Sequence, residues 1–119
     1  MLINLTIENF LSFDAPVSFS MEAGRKTSRH ENHIRDVNGF SVLRGAAIYG
    51  ANASGKSNVL KTVDLFRQML FRGDCSILRG MQFALSESIR PDMRFDVVVS
   101  NDRSVFRYAI VTDGLAVKR

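Results

Sequence analysis

Gly50-Ala51-Asn52-Ala53-Ser54-Gly55-Lys56-Ser57 fits G-x-x-x-x-G-K-[ST] at every fixed position, and no other stretch of the chain restricts its fold as severely. Such a phosphate-binding loop needs a buried strand entering it and a helix leaving it. The sequence offers both. Ala46-Ala47-Ile48-Tyr49 is a short apolar run without alternation, as expected of a strand covered on both faces. Beyond the loop, Val59, Val63, Phe66 and Leu70 recur at helical spacing, Leu60 and Met69 widen the stripe and Gly73 supplies a stop signal, which predicts an amphipathic helix.

The residue types follow from the chemistry of an anion. Glycine at 50 and 55 lets the backbone wrap closely around a phosphate, so the N–H groups from Asn52 through Ala53, Ser54, Gly55 and Lys56 to Ser57 are expected to point inward. The helix start aims its positive dipole end at the same place. Lys56 is the expected catalytic cation for the β- and γ-phosphates. Ser57 offers a hydroxyl to Mg²⁺, which prefers hard oxygen ligands.

Elsewhere the pattern is mostly β. Ile3, Leu5 and Ile7 alternate with polar residues, as do Val17, Phe19 and Met21, and Asp14-Ala15-Pro16 separates them, so residues 1–22 are expected to form an antiparallel hairpin. Residues 23–39 turn polar and are expected to be a loop, long enough to lie against a ligand or partner. Strand, phosphate loop and helix occupy 42–73. The 74–91 region carries no clear period beyond a short helical turn. Phe95, Val97 and Val99, then Val105 to Thr112, then Leu115 to Val117, with Asp113-Gly114 as a hairpin turn, predict an antiparallel meander over 94–119. The fold class expected is α/β.

Composition narrows the remaining classes. With 45% hydrophobic and 24% charged residues the chain can build a core, which excludes intrinsic disorder. No apolar run is long enough for a membrane span. The N-terminus lacks the features of a signal peptide and Cys75 has no second cysteine to pair with, so a reducing, cytoplasmic setting is expected. The net charge of +4 is mild and scattered, an ordinary solvated surface; a nucleic-acid face would have to use Arg25, Lys26, Arg29 and Arg35.

Ile7-Glu8-Asn9-Phe10-Leu11-Ser12-Phe13, followed by Ile48-Tyr49 and the phosphate loop through Asn58, resembles the N-terminal half of the ABC-type head of SMC/RecF/OLD-like ATPases, and within that group bacterial AAA-family ATP-binding proteins. The resemblance implies the N-terminal part of a P-loop NTPase with an antiparallel β-lobe beside the loop strand and helix, binding ATP and Mg²⁺. It also implies that the Asn-Phe-x-Ser segment brings Ser12 toward the nucleotide, with Asn58 closing the loop motif. Leu11 stands where related heads often carry a basic residue, and Ala53 where a Gly is common. Further implications are a homo-oligomer or a C-terminal lobe that completes the site, a nuclease or nucleic-acid partner, and a role such as antiviral defence.

Hydrolysis needs a carboxylate to organise Mg²⁺ and water, and no apolar strand ending in Asp-Glu is found. The nearest match, Ala109-Ile110-Val111-Thr112-Asp113, runs into Gly114 and reads as a turn. A non-catalytic nucleotide-binding scaffold is therefore the alternative. Gln82 reads as structural. His30-Glu31-Asn32-His33 lacks a third firm ligand and reads as solvated loop, and Cys75 as a plain structural thiol.

Overall fold

The computed structural model describes residues 1–24, 31–86 and 90–118. Strands β1 (Leu2–Glu8), β2 (Val17–Ser20), β5 (Met93–Ser100), β6 (Val105–Thr112) and β7 (Val117–Lys118) form a five-stranded sheet in the order β2-β1-β5-β6-β7. Each neighbouring pair is antiparallel. A separate two-stranded ribbon is made by β3 (Ile34–Val37) and β4 (Phe40–Leu43), and α1, the one α-helix among the described residues, spans Lys56–Arg72.

Alternation decides which side of the sheet is covered. Leu5 and Ile7 of β1 and Met93, Phe95 and Val97 of β5 are buried together with Phe66 and Met69 of α1 in a single cluster. Phe95 lies at its centre, edge-on to Phe10 at 5.0 Å and tilted against Phe66 at 6.0 Å. Each such side chain contributes about 1.5–3 kcal/mol by leaving water. One extra residue in β1 shifts the register between Leu2 and Asn4. Ile3, in this bulge, is buried outside that cluster, as are Val37 and Val42 of the ribbon.

β1 and β2 pair antiparallel, with Leu5 opposite Phe19, but β2 is an edge strand and Val17 stays 42% exposed. The 23–39 segment departs from the expected loop. Residues 34–37 are strand β3, joined to β4 through Asn38 and Gly39, both at positive φ (50° and 86°), the backbone of a tight hairpin turn. The ribbon is attached to the sheet's end by the Glu22–Val42 bridge. Two of its residues also reach the β5–β6 turn, Arg35 bonding Asp102 at 2.6 Å and Asn38 bonding the Asn101 carbonyl at 3.1 Å.

Helix α1 ends where expected, with Gly73 at φ 64° and its N–H donating to the Met69 carbonyl. Burial is uneven within the expected stripe, and Phe66, Met69 and Val59 of it meet the core. Thr62, Phe66 and Met69 are buried, whereas Val63 and Leu70 remain exposed along a groove of about 380 Å³ shared with Phe71, Val97 and Tyr108. The sheet covers one edge of a broad apolar stripe.

The Asp113-Gly114 turn is held tightly. Asp113 accepts from the N–H groups of Leu115 and Ala116 at 2.8 and 3.1 Å, and these bonds keep its carboxyl below the ordinary carboxylate value. Gly114 sits at φ 82°, and a Cβ there would meet the Arg79 backbone at 2.7 Å. Gly114→Ala is therefore expected to cost about 2 kcal/mol or more, combining left-handed strain with a displaced backbone. A lowered urea midpoint at unchanged slope checks it.

A second expectation concerns acid. Asp96 on β5 accepts bonds from Arg107 on β6, including one at 2.9 Å from Nε, and that guanidinium holds its carboxyl below the ordinary 3.8. A carboxyl whose value is lowered by folding favours the folded state above the unfolded value and stops doing so as pH falls through the lower folded one. Stability should therefore be level above pH 3.8 and decline below it, with Asp74 and Asp113 acting in the same direction. Asp96→Asn should flatten part of that decline in a pH series of thermal midpoints. At neutral pH it should cost under about 1 kcal/mol, because the pair is largely exposed.

Candidate functional site

Helix α1 begins at Lys56 directly after Gly55, which has φ 89° and offers no side-chain cap. The first N–H groups of a helix lack the acceptor four residues earlier; Asn58 N–H turns back to the Gly55 carbonyl at 3.0 Å, which leaves those of Lys56 and Ser57 at the helix start. They open on a cavity of about 420 Å³ lined by Asn52, Ala53, Ser54, Gly55, Lys56, Ser57 and Asn58. Among the described residues no carboxylate lines it. Backbone donors, two hydroxyls, two amides and an ammonium make a lining that suits an anion.

The loop's turns depend on backbone conformations that few residues adopt freely. Ala53 stands at φ 64°, in the left-handed region where a Gly is common in related loops. Ser54 N–H donates to the Ala51 carbonyl at 3.3 Å, closing the turn. A Cβ on Gly50 would lie 3.1 Å from Ser54 Oγ, a contact that the serine would relieve by turning. Lys56 reaches back across the loop, its Nζ donating to the carbonyls of Gly50 and Ala51 at 2.8 and 2.5 Å and lying 3.5 Å from Ser54 Oγ.

The entry side differs from expectation. Ala46–Tyr49 is not a buried strand: residues 45–50 carry no regular structure and are exposed, with Tyr49 at 91% and Ile48 at 38%. A strand is held by a ladder, and no described strand lies beside this segment. The apolar character legible in the sequence is present, but nothing among the described residues covers it.

Ser12 is brought to the loop by a tight turn. Phe10 and Phe13 exchange both backbone bonds at 2.9 Å, with Leu11 at φ 53° between them. Ser12 Oγ then accepts from Asn58 Nδ2 at 2.9 Å and stands 2.7 Å from where a Cβ on Gly55 would be. Gly55 is required by its φ, and a Cβ there would also push the Ser12 hydroxyl aside. Asn9, in the same motif, does not reach the loop. It is buried, donating to the carbonyls of Arg90 and Asp92 at 2.7 and 2.9 Å and accepting from Phe83 N–H at 3.3 Å. Leu11 N–H adds a bond to the Met81 carbonyl. Together these fix the turn that carries Ser12.

The remaining candidates divide plainly. Gln82 donates to the carbonyls of Pro91 and Asp113, both at 3.2 Å, and Cys75 is buried in the main core. Of the basic residues considered for nucleic acid, Arg35 is paired with Asp102, and Arg25, Lys26 and Arg29 lie outside the described residues. His30 lies there too. Among the described residues no three His, Cys, Asp or Glu side chains form a ligand set, so a cation at this loop would be held through the Ser57 hydroxyl and bound phosphate oxygens. That donor chemistry suits Mg²⁺. No helix among the described residues is long and apolar enough to cross a membrane.

Comparison with known proteins gives one match. A family model described as "AAA domain, putative AbiEii toxin, Type IV TA system" matches residues 46–118, which include the phosphate loop, α1 and β5 to β7. No curated protein matches, and no solved structure does.

Proposed function

Because the chain belongs to this AAA-domain family, and so to the nucleotide-binding P-loop proteins, we propose that it binds Mg-ATP through Gly50–Asn58. The observation that carries the reading is the acid-free cavity at the uncapped start of α1, lined by Asn52 to Asn58. Its backbone donors and Lys56 would take the phosphates, and Ser57 would hold Mg²⁺. The cation supplies charge neutralisation for the β- and γ-phosphates. Lys56 now bonds the Gly50 and Ala51 carbonyls, and a phosphate would offer it stronger, charge-assisted partners.

ATP hydrolysis belongs to this reading as the act of a completed site. The lining holds no carboxylate among the described residues, so a further lobe or a second copy would have to bring one. In this view the chain resembles the first part of an SMC/RecF/OLD-like head whose pairing drives a nuclease or nucleic-acid transaction, in a setting such as phage defence. Asp113, tied into a turn by two backbone bonds, favours a second reading of the chain by itself: a nucleotide-binding scaffold without catalysis.

Calorimetric titration with Mg-ATP tests the central claim. Saturable binding that inorganic pyrophosphate displaces supports it, and no saturable binding would overturn it. Single-turnover incubation with labelled ATP then separates the two readings. Phosphate release by the chain alone would reject the scaffold.

A further inference from the structure

The side of α1 turned away from the sheet is not the polar face of an ordinary surface helix. Leu60, Asp64, Arg67 and Phe71 follow one another at spacings of four, three and four, which places them within about 60° of the helix circumference. The buried Thr62, Phe66 and Met69 lie on the opposite side. Leu60 is 68% and Phe71 83% exposed, and Val63 and Leu70 beside them line the groove shared with Tyr108. Together these five apolar side chains turn on the order of 500 Å² to solvent, and nothing among the described residues covers them.

The stripe is its own complement. Its two ends are apolar and its centre holds one acid and one base, in an order that reverses onto itself. A second α1 laid antiparallel about a two-fold axis between residues 65 and 66 would set Leu60 on the partner's Phe71 and Asp64 on the partner's Arg67, and each contact would occur twice. Within the chain Arg67 meets Asp64 at 3.2 Å, an exposed pair of little worth by itself, and Gln68 Nε2 steadies the same carboxylate at 2.8 Å. Between two copies the four charges would alternate in sign, flanked at both ends by apolar contacts.

We propose that this stripe is an interface between two copies of the chain, paired α1 to α1. With a rim of neighbouring side chains it approaches the roughly 800 Å² per partner of a standard interface from the low side, which fits a dimer of micromolar affinity. At 17 residues α1 is about 25 Å long, and the antiparallel pairing puts the two phosphate loops at its opposite ends with their cavities open. The pairing brings no carboxylate to either loop. It is a surface separate from the nucleotide site, and it forms with or without Mg-ATP.

Sedimentation of the full chain over about 1–200 µM tests it, and a monomer–dimer equilibrium in that range is expected. Asp64→Arg or Arg67→Asp, each of which sets four like charges together, should weaken self-association about tenfold or more. An equimolar mixture of the two variants should recover the parent's affinity within about threefold, because every charged contact between them is again acid to base. Both side chains are exposed, so circular dichroism should show the fold unchanged. Phe71→Ser should also weaken the dimer about tenfold or more. A monomer throughout, a dimer that these variants leave intact, a mixture no tighter than its components, or a dimer that appears only with Mg-ATP would each overturn the proposal. None of these outcomes decides whether the phosphate loop binds Mg-ATP, which calorimetric titration reads separately.

Discussion

Lys56→Ala is expected to weaken Mg-ATP binding by about 100-fold or more while leaving the fold intact. The two halves of this expectation have separate causes. In the structure the ammonium bonds only groups of the loop itself, the carbonyls of Gly50 and Ala51 and the Ser54 hydroxyl, in an exposed setting. Water replaces such partners at little cost. Against phosphate the same ammonium forms charge-assisted bonds worth about 1.5–3 kcal/mol each, and two of them account for the loss. Titration of parent and variant with Mg-ATP, beside their thermal midpoints, separates the effects. A variant that binds as the parent does would remove Lys56 from the site, and one that fails to fold would show that the loop braces the domain.

Asn9→Ala is expected to be the most damaging substitution for stability, at about 3–5 kcal/mol. Asn9 is 2% exposed, and its amide serves the Arg90 and Asp92 carbonyls and the Phe83 N–H. Removing it strands polar groups, each costing about 1–3 kcal/mol when left buried and unpaired. Its φ of 52° adds to the cost, because Asn tolerates the left-handed region better than Ala. Asn9→Asp is an informative companion. It keeps an acceptor for Phe83 N–H but sets a carboxylate oxygen against two carbonyl oxygens, so it should be no better than Ala above the carboxyl's titration range. Urea denaturation followed by circular dichroism measures both. A loss below about 1 kcal/mol would mean that water reaches these groups.

Local pattern carried much of the architecture. The alternation in Ile3-Leu5-Ile7 and in Phe95-Val97-Val99 marks β1 and β5, and Gly73 marks the end of α1. The phosphate loop needed no tertiary information, since its glycines and lysine serve a cavity made by consecutive residues. Three features depended on distant partners and were not legible. Asn9 looks like any polar residue of a turn, and its partners are 74 to 83 residues away. The strand expected at Ala46–Tyr49 depends on neighbours that an apolar run cannot specify. The helix stripe is broad, and only the sheet decides that Thr62 is inside while Val63 and Leu70 are not. The β3–β4 ribbon is a different case. Its signal, Asn38-Gly39, is a strong hairpin indicator, masked by the polar stretch around it.

The phosphate loop is anchored on one side only. Toward α1 it is gripped by helical bonds and by the Ser12–Asn58 contact, whereas no described strand pairs with Gly45–Tyr49. Rearranging that flank around a phosphate would fix backbone at about 1–2 kcal/mol of entropy per residue, and the cost would be subtracted from the affinity of the chain alone. A neighbouring strand laid against Ala46–Tyr49 would meet that cost in advance. Nucleotide and neighbour would then favour each other's binding although their contact surfaces are separate, a cooperativity arising from shared ordering.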